Sequence, residues 1–149
     1  MTVKVKVAKV HEEQLQDENI KRELEDIQKY FNSTDFNYAE NTINFVFIKG
    51  IYSHIKRAML VVGVYVNNTN DNIYGFSSKL RLKFVNRNGQ IATVNSAFDE
   101  NFIGRLKPEE GMIIHLEVPV RGLNKDEEFS IKDISGMLDE IKYIKDPLH

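Results

Sequence analysis

The stretch Ala58-Met59-Leu60-Val61-Val62-Gly63-Val64-Tyr65-Val66-Asn67 carries no charge. Leu60, Val62, Val64 and Val66 fall on one face of an extended chain, and Met59, Val61, Gly63 and Tyr65 on the other. A strand apolar on both faces is covered on both, which makes this the central strand of a sheet. The run is far too short to span a bilayer. It leads into Asn67-Asn68-Thr69-Asn70-Asp71-Asn72, which has the composition of a tight turn.

Strands extend outward from this centre in both directions. Ile43 to Tyr52 precedes it, interrupted at Lys49-Gly50 by a bulge or a strand end. Lys79 to Val85 alternates, with Leu80, Leu82 and Phe84 inward and Lys79, Arg81 and Lys83 outward. Asn88-Gly89 signals a hairpin into Gln90 to Phe98. Met112 to Val120 alternates again, and Pro119, which lacks an N–H, places that strand's end at an edge or outside the ladder. Residues 132–139 read as one helical turn or a loop, and residues 140–145 as a last strand. At the other end, residues 2–10 form a strand with Val3, Val5 and Val7 on one side and Lys4 and Lys6 on the other, suited to a sheet edge. Asp17 to Phe31 is an amphipathic helix with Ile20, Leu24, Ile27 and Phe31 in one stripe. Glu18 with Arg22 and Glu25 with Lys29 are spaced for ion pairs on its exposed faces.

The pattern is mainly β: an antiparallel immunoglobulin-like β-sandwich with one N-terminal amphipathic helix. The alternative is an α+β sheet carrying the helix on one face. Residues 1–36 form an arm of strand and helix, and residues 42–145 the sandwich body, in one domain overall. The 149 residues suffice for a core without staples, and the absence of cysteine removes disulfides and thiolate chemistry. A net charge of −2 argues against a nucleic-acid binder. MTVKVKVAKV lacks the apolar core of a secretory signal, so a cytoplasmic protein without a membrane span is expected.

Catalytic patterns are sparse. His11, His54, His115 and His149 stand in no metal-binding spacing, and no cofactor is expected. Ser135, in Ile134-Ser135-Gly136, lacks the surroundings of a nucleophile elbow and reads as a turn residue. The Asn67 to Asn72 loop lacks the charge of a calcium loop. The most one-signed feature is Lys79, Arg81 and Lys83, continuing to Arg87. It suits either solvent or an acidic partner. Val3, Val5 and Val7 suit exchange of the arm between two copies, giving a homodimer. Tyr52, Tyr65, Tyr74 and Phe76 are candidate platforms for a small ligand or else core residues.

Several of these pieces occur in an order that resembles the SLAP domain, found in small bacterial proteins and linked to S-layer assembly and accessory secretion. The matching order runs through Leu60 to Val66 with Asn67-Asn68-Thr69, then Ile73-Tyr74-Gly75-Phe76, Leu80-Arg81-Leu82-Lys83-Phe84 and Ile91-Ala92 leading to Phe98. Ile103-Gly104-Arg105-Leu106-Lys107-Pro108 and Ile113 to Pro119 complete it. The chain differs in having no tryptophan and a single copy with a helical arm. The resemblance implies a non-enzymatic protein-interaction module, accessory to bacterial secretion or cell-surface assembly, with a protein partner and no catalytic residues. A small-molecule or carbohydrate binding β-domain is the alternative.

Overall fold

The computed structural model describes residues 2–147. The chain runs through β1 (Lys4–Val7), a 3₁₀ helix (Lys9–Gln16), α1 (Glu18–Asn32), β2 (Thr42–Ser53), β3 (Ala58–Asn68) and β4 (Gly75–Phe84). It continues through β5 (Gln90–Ile91), β6 (Val94–Phe98), α2 (Glu100–Ile103), β7 (Glu110–Arg121), β8 (Glu127–Phe129) and β9 (Ile134–Ile144). The larger sheet has the order β1-β7-β3-β2-β8, with β5 paired to the far end of β7, and the smaller sheet has the order β6-β4-β9. The two sheets pack face to face as a β-sandwich.

β3 is central, between β2 and β7. Its inward residues Met59, Val61 and Tyr65 join Leu80 and Leu82 of β4, Phe47 and Tyr52 of β2, and Met112 and Ile114 of β7 in the core. Its outward residues Val62, Val64 and Val66 meet Ile27 and Phe31 of α1. The helix is thus a third layer, as in the α+β alternative, but lying on one sheet of a sandwich. Asp17 caps it by accepting from the Asn19 N–H at 2.8 Å. Its ion pair along the helix, among the described residues, is Glu18–Lys21 at 3.7 Å, one position earlier than Arg22.

Five expectations need correction. The first strand ends at Val7, and the residues beyond it turn into the 3₁₀ helix. β1 pairs parallel to β7, Lys4 opposite Glu110, so the sandwich is not wholly antiparallel. Asn88-Gly89 does not make a tight hairpin. Gly89, at φ +135°, packs against Gly122, and the predicted strand beyond it divides between sheets, β5 joining β7 and β6 joining β4. Residues 132–139 are neither helix nor loop throughout, because β9 runs from Ile134 to Ile144 and holds Ser135 within a strand. Pro119 is neither at an edge nor outside the ladder: it pairs with Ala58 of β3, and Val120 beside it pairs with Ile91 of β5. It is tolerated because the Val120 N–H makes the bond to the Arg57 carbonyl just before β3, so the missing N–H lies on the opposite side of the strand.

Two bulges shape the sandwich. Ile48 is the extra residue of β2, where the register slips between Phe47 and Lys49. It flips the pleat, so Phe47 and Gly50 both face the core. In β9 the slip lies opposite Ser77 to Lys79, and Glu140 takes a left-handed φ of 52°.

Candidate interaction surface

The basic stripe falls on the outer face of the smaller sheet and is largely neutralised there. Lys79 Nζ lies 2.8 Å from Glu140, and Arg81 Nε 2.8 Å from Asp139, both carboxylates coming from β9. The Lys79 ammonium holds the Glu140 carboxyl below its ordinary range. Arg87 pairs with Glu127 and stacks over the rings of Phe84 and Phe129, 5.8 Å and 5.4 Å from their centroids. Among the described residues, Lys83 is the stripe member without an ion pair. Four cations with three carboxylate partners make a weak magnet for an acidic ligand.

Val3 and Val5 are buried in the same chain, against Ile27, Phe31, Val64 and Ile113, and Val7 is partly exposed. The Gln28 carboxamide then serves β1 as an extra peptide unit would. Its Nε2 donates to the Val3 carbonyl at 2.8 Å, and its Oε1 accepts from the Val5 N–H at 2.7 Å. Lys6 pairs with Glu110 at 3.2 Å. The arm is therefore fastened in cis by apolar burial, an amide clamp and a salt bridge.

Sequence reasoning missed the main concavity. Two adjoining cavities of about 610 and 540 Å³ share Tyr30, Ile48, Lys49 and Ile131, and together form a groove between α1 and the turn after β8. Val62 and Ile27 contribute to its floor. Arg22 and Asp26 of α1 form one rim and Lys132 and Asp133 of the turn the other. That turn is held in shape: the Asp133 carboxylate accepts from the Ser130 N–H (2.7 Å) and hydroxyl (3.0 Å), which lowers its pKa. Beyond the groove lie Ile51 and Leu60, directly paired across β2 and β3, 40% and 42% exposed. Glu117 of β7 and Glu128 of β8 flank them in the same cross-strand row. The sequence carries no direct signal of it, because the groove depends on which strands lie side by side. One four-residue stripe on α1 has to cover β1, β7 and β3 together, which leaves Leu60 over.

The remaining candidates divide between core and surface. Tyr52 and Tyr65 are core residues, Phe76 is buried but reaches the wall of a cleft, and Tyr74 is half-buried. Burial pushes the Tyr65 phenol up to about 12, partly opposed by the Ser96 and Ser78 hydroxyls. An aromatic cleft of about 530 Å³ does exist, lined by Phe76, Phe98, Phe102 and Tyr143 with Asp99 and Lys142 beside them. The histidines are dispersed: His115 bonds Glu23 at 2.9 Å, His54 lies 3.2 Å from the Tyr52 hydroxyl, and His11 packs edge-on to Phe102. His149 lies outside the described residues. Among the described residues no group of three or more histidines or carboxylates is placed to hold a metal ion. Nor is any helix there long and apolar enough to cross a membrane. Asn67, in the loop weighed for calcium, turns its side chain inward to Leu106, Thr69 and Asp71. No protein-family model, curated protein or solved structure matches the chain.

Proposed function

We propose that this chain is a non-enzymatic protein-interaction module that receives a protein partner on the outer face of its larger sheet. The observation that carries this reading is the exposed Ile51–Leu60 pair, the next pair along the same face from Lys49 and Val62 of the groove beside α1. Apolar side chains adjoining a concavity and rimmed by charge are the composition of an interface. The resemblance to SLAP domains supports a place in bacterial secretion or cell-surface assembly. Mild cross-linking in native lysate with the wild type and with Leu60→Asp tests the site. A defined partner captured by the wild type and lost from the variant is expected. Equal recovery by both would sink the proposal.

The aromatic cleft favours one other reading, a small-molecule or carbohydrate binding domain. A saturable rise in melting temperature with one ligand, absent in Phe102→Ala, would decide for it.

A further inference from the structure

Strands at sheet edges present unpaired backbone groups to any other chain, and proteins guard them with charge, bulges or shortness. Nearly every edge here is guarded. β1 carries Lys4 and Lys6 and has the Gln28 clamp. β5 and β8 have two and three residues, and β8 carries two glutamates. β9 has Asp139, Glu140, Lys142 and a bulge. β6 differs from all of them. Its five residues, Val94-Asn95-Ser96-Ala97-Phe98, include no charge, proline or glycine, and they pair with β4 from Phe98 to Val94 without a register shift. Among the described residues no strand pairs with its other side.

We infer that β6 is a self-association edge and that its partner is the β6 strand of a second copy of this chain. An antiparallel pair with a two-fold axis at Ser96 places Val94 of one copy opposite Phe98 of the other, and Asn95 opposite Ala97. Val94, Ser96 and Phe98 face the core from this edge and are only half-buried, whereas Asn95 and Ala97 point outward and are exposed. The pairing therefore closes the half-exposed apolar side chains as β-branched–aromatic cross-strand pairs, one on each side of the axis. It puts no like charges opposite one another and joins two three-stranded sheets into one of six. Two-fold closure uses up both edges, so the assembly stops at a dimer. The groove beside α1 lies on the other sheet, so this inference stands apart from the partner proposed above.

Sedimentation velocity of the full chain over a concentration series, with hydrogen exchange at the same concentrations, tests it. The expected result is a reversible shift from 17.3 kDa to twice that mass, with amides of Val94–Phe98 gaining protection as the dimer fills. Asn95→Lys with Ala97→Lys sets like charges directly opposite at two symmetric positions and should raise the dissociation constant about tenfold. Asn95→Lys with Ala97→Glu makes those contacts complementary and should return it towards the wild-type value. A monomer at every concentration overturns the inference. So does a dimer that both double variants leave equally tight, or one whose protection falls on β1 or the groove instead. Should the double-lysine variant fail to fold, the wild-type exchange pattern decides alone.

Discussion

Nε2 of His115 lies 2.9 Å from Oε1 of Glu23, joining β7 to α1 across 92 positions of sequence. The imidazole N–H donates to the carboxylate, and this hydrogen bond is the main reason that the Glu23 carboxyl sits below its ordinary 4.5, with partial burial opposing it. A lowered folded-state pKa contributes stability that is full above the unfolded value and is lost as pH falls through the folded one. Wild type should therefore exceed Glu23→Gln in stability at pH 6 and converge on it well below pH 4.5. Urea midpoints of both proteins over that range check the prediction. A constant gap at all pH values would remove the carboxylate from the account.

Gly63 leaves room for the ring of Phe45, which lies edge-on to Tyr65 with ring centroids 5.1 Å apart. A Cβ at Gly63 would stand 2.6 Å from Phe45 Cε1. Gly63→Ala should cost about 1–3 kcal/mol by overpacking. Adding Phe45→Leu should cost less in that background than in the wild type, because the clash goes with the ring. A double-mutant cycle in urea measures the coupling.

Asn67 is fully buried, and its side chain makes four hydrogen bonds. Nδ2 donates to the carbonyls of Asp71 and Leu106, both at 2.9 Å, and Oδ1 accepts from the N–H and hydroxyl of Thr69. Asn67→Ala strips partners from buried groups and should destabilise by at least about 2 kcal/mol. The same bonds occupy the nitrogen that an N-linked glycan would need. Asn67-Asn68-Thr69 matches the Asn-x-Thr pattern of N-glycosylation, and in a glycosylating host mass spectrometry should find Asn67 unmodified on folded protein.

Arg81 and Arg87 both belong to the basic stripe, yet their removal should differ. Arg81 has one surface partner, Asp139, and its replacement by alanine should cost less than about 1 kcal/mol. Arg87 adds two ring faces to its ion pair with Glu127 and fastens the end of β4 to β8. Its replacement should cost about 1–2 kcal/mol. Equal costs in urea would mean that the stacking contributes nothing.

The sequence was most readable where burial obeys a single period. β3, β4 and the α1 stripe follow periods of two or about 3.6, and they lie where those periods put them. β9 was hidden by its bulge: Ile134 and Leu138 face the core before Glu140, Ile141 and Tyr143 after it, so the alternation changes phase within one strand. The split of residues 90–98 between sheets was unreadable for another reason. The choice of partner lies in β4 and β7, and nothing within β5 or β6 encodes it. For the candidate site, the charges of the stripe were legible, but their neutralisation depended on β9. The groove arises from what α1 fails to cover, which only the packed sheet defines.

The parallel pairing of β1 with β7 also sets an order of events during synthesis. Lys4 is made about a hundred residues before its partner Glu110. Val3, Val5, Ile27 and Phe31 leave the ribosome with the rest of their burial site, Val62, Val64, Val66 and Ile113, still unmade. Contacts of such long range close late, because the loop entropy comes before the gain. β1 and α1 thus wait for β7 before they can dock fully, and through that interval their apolar stripe is open to whatever binds nascent chains.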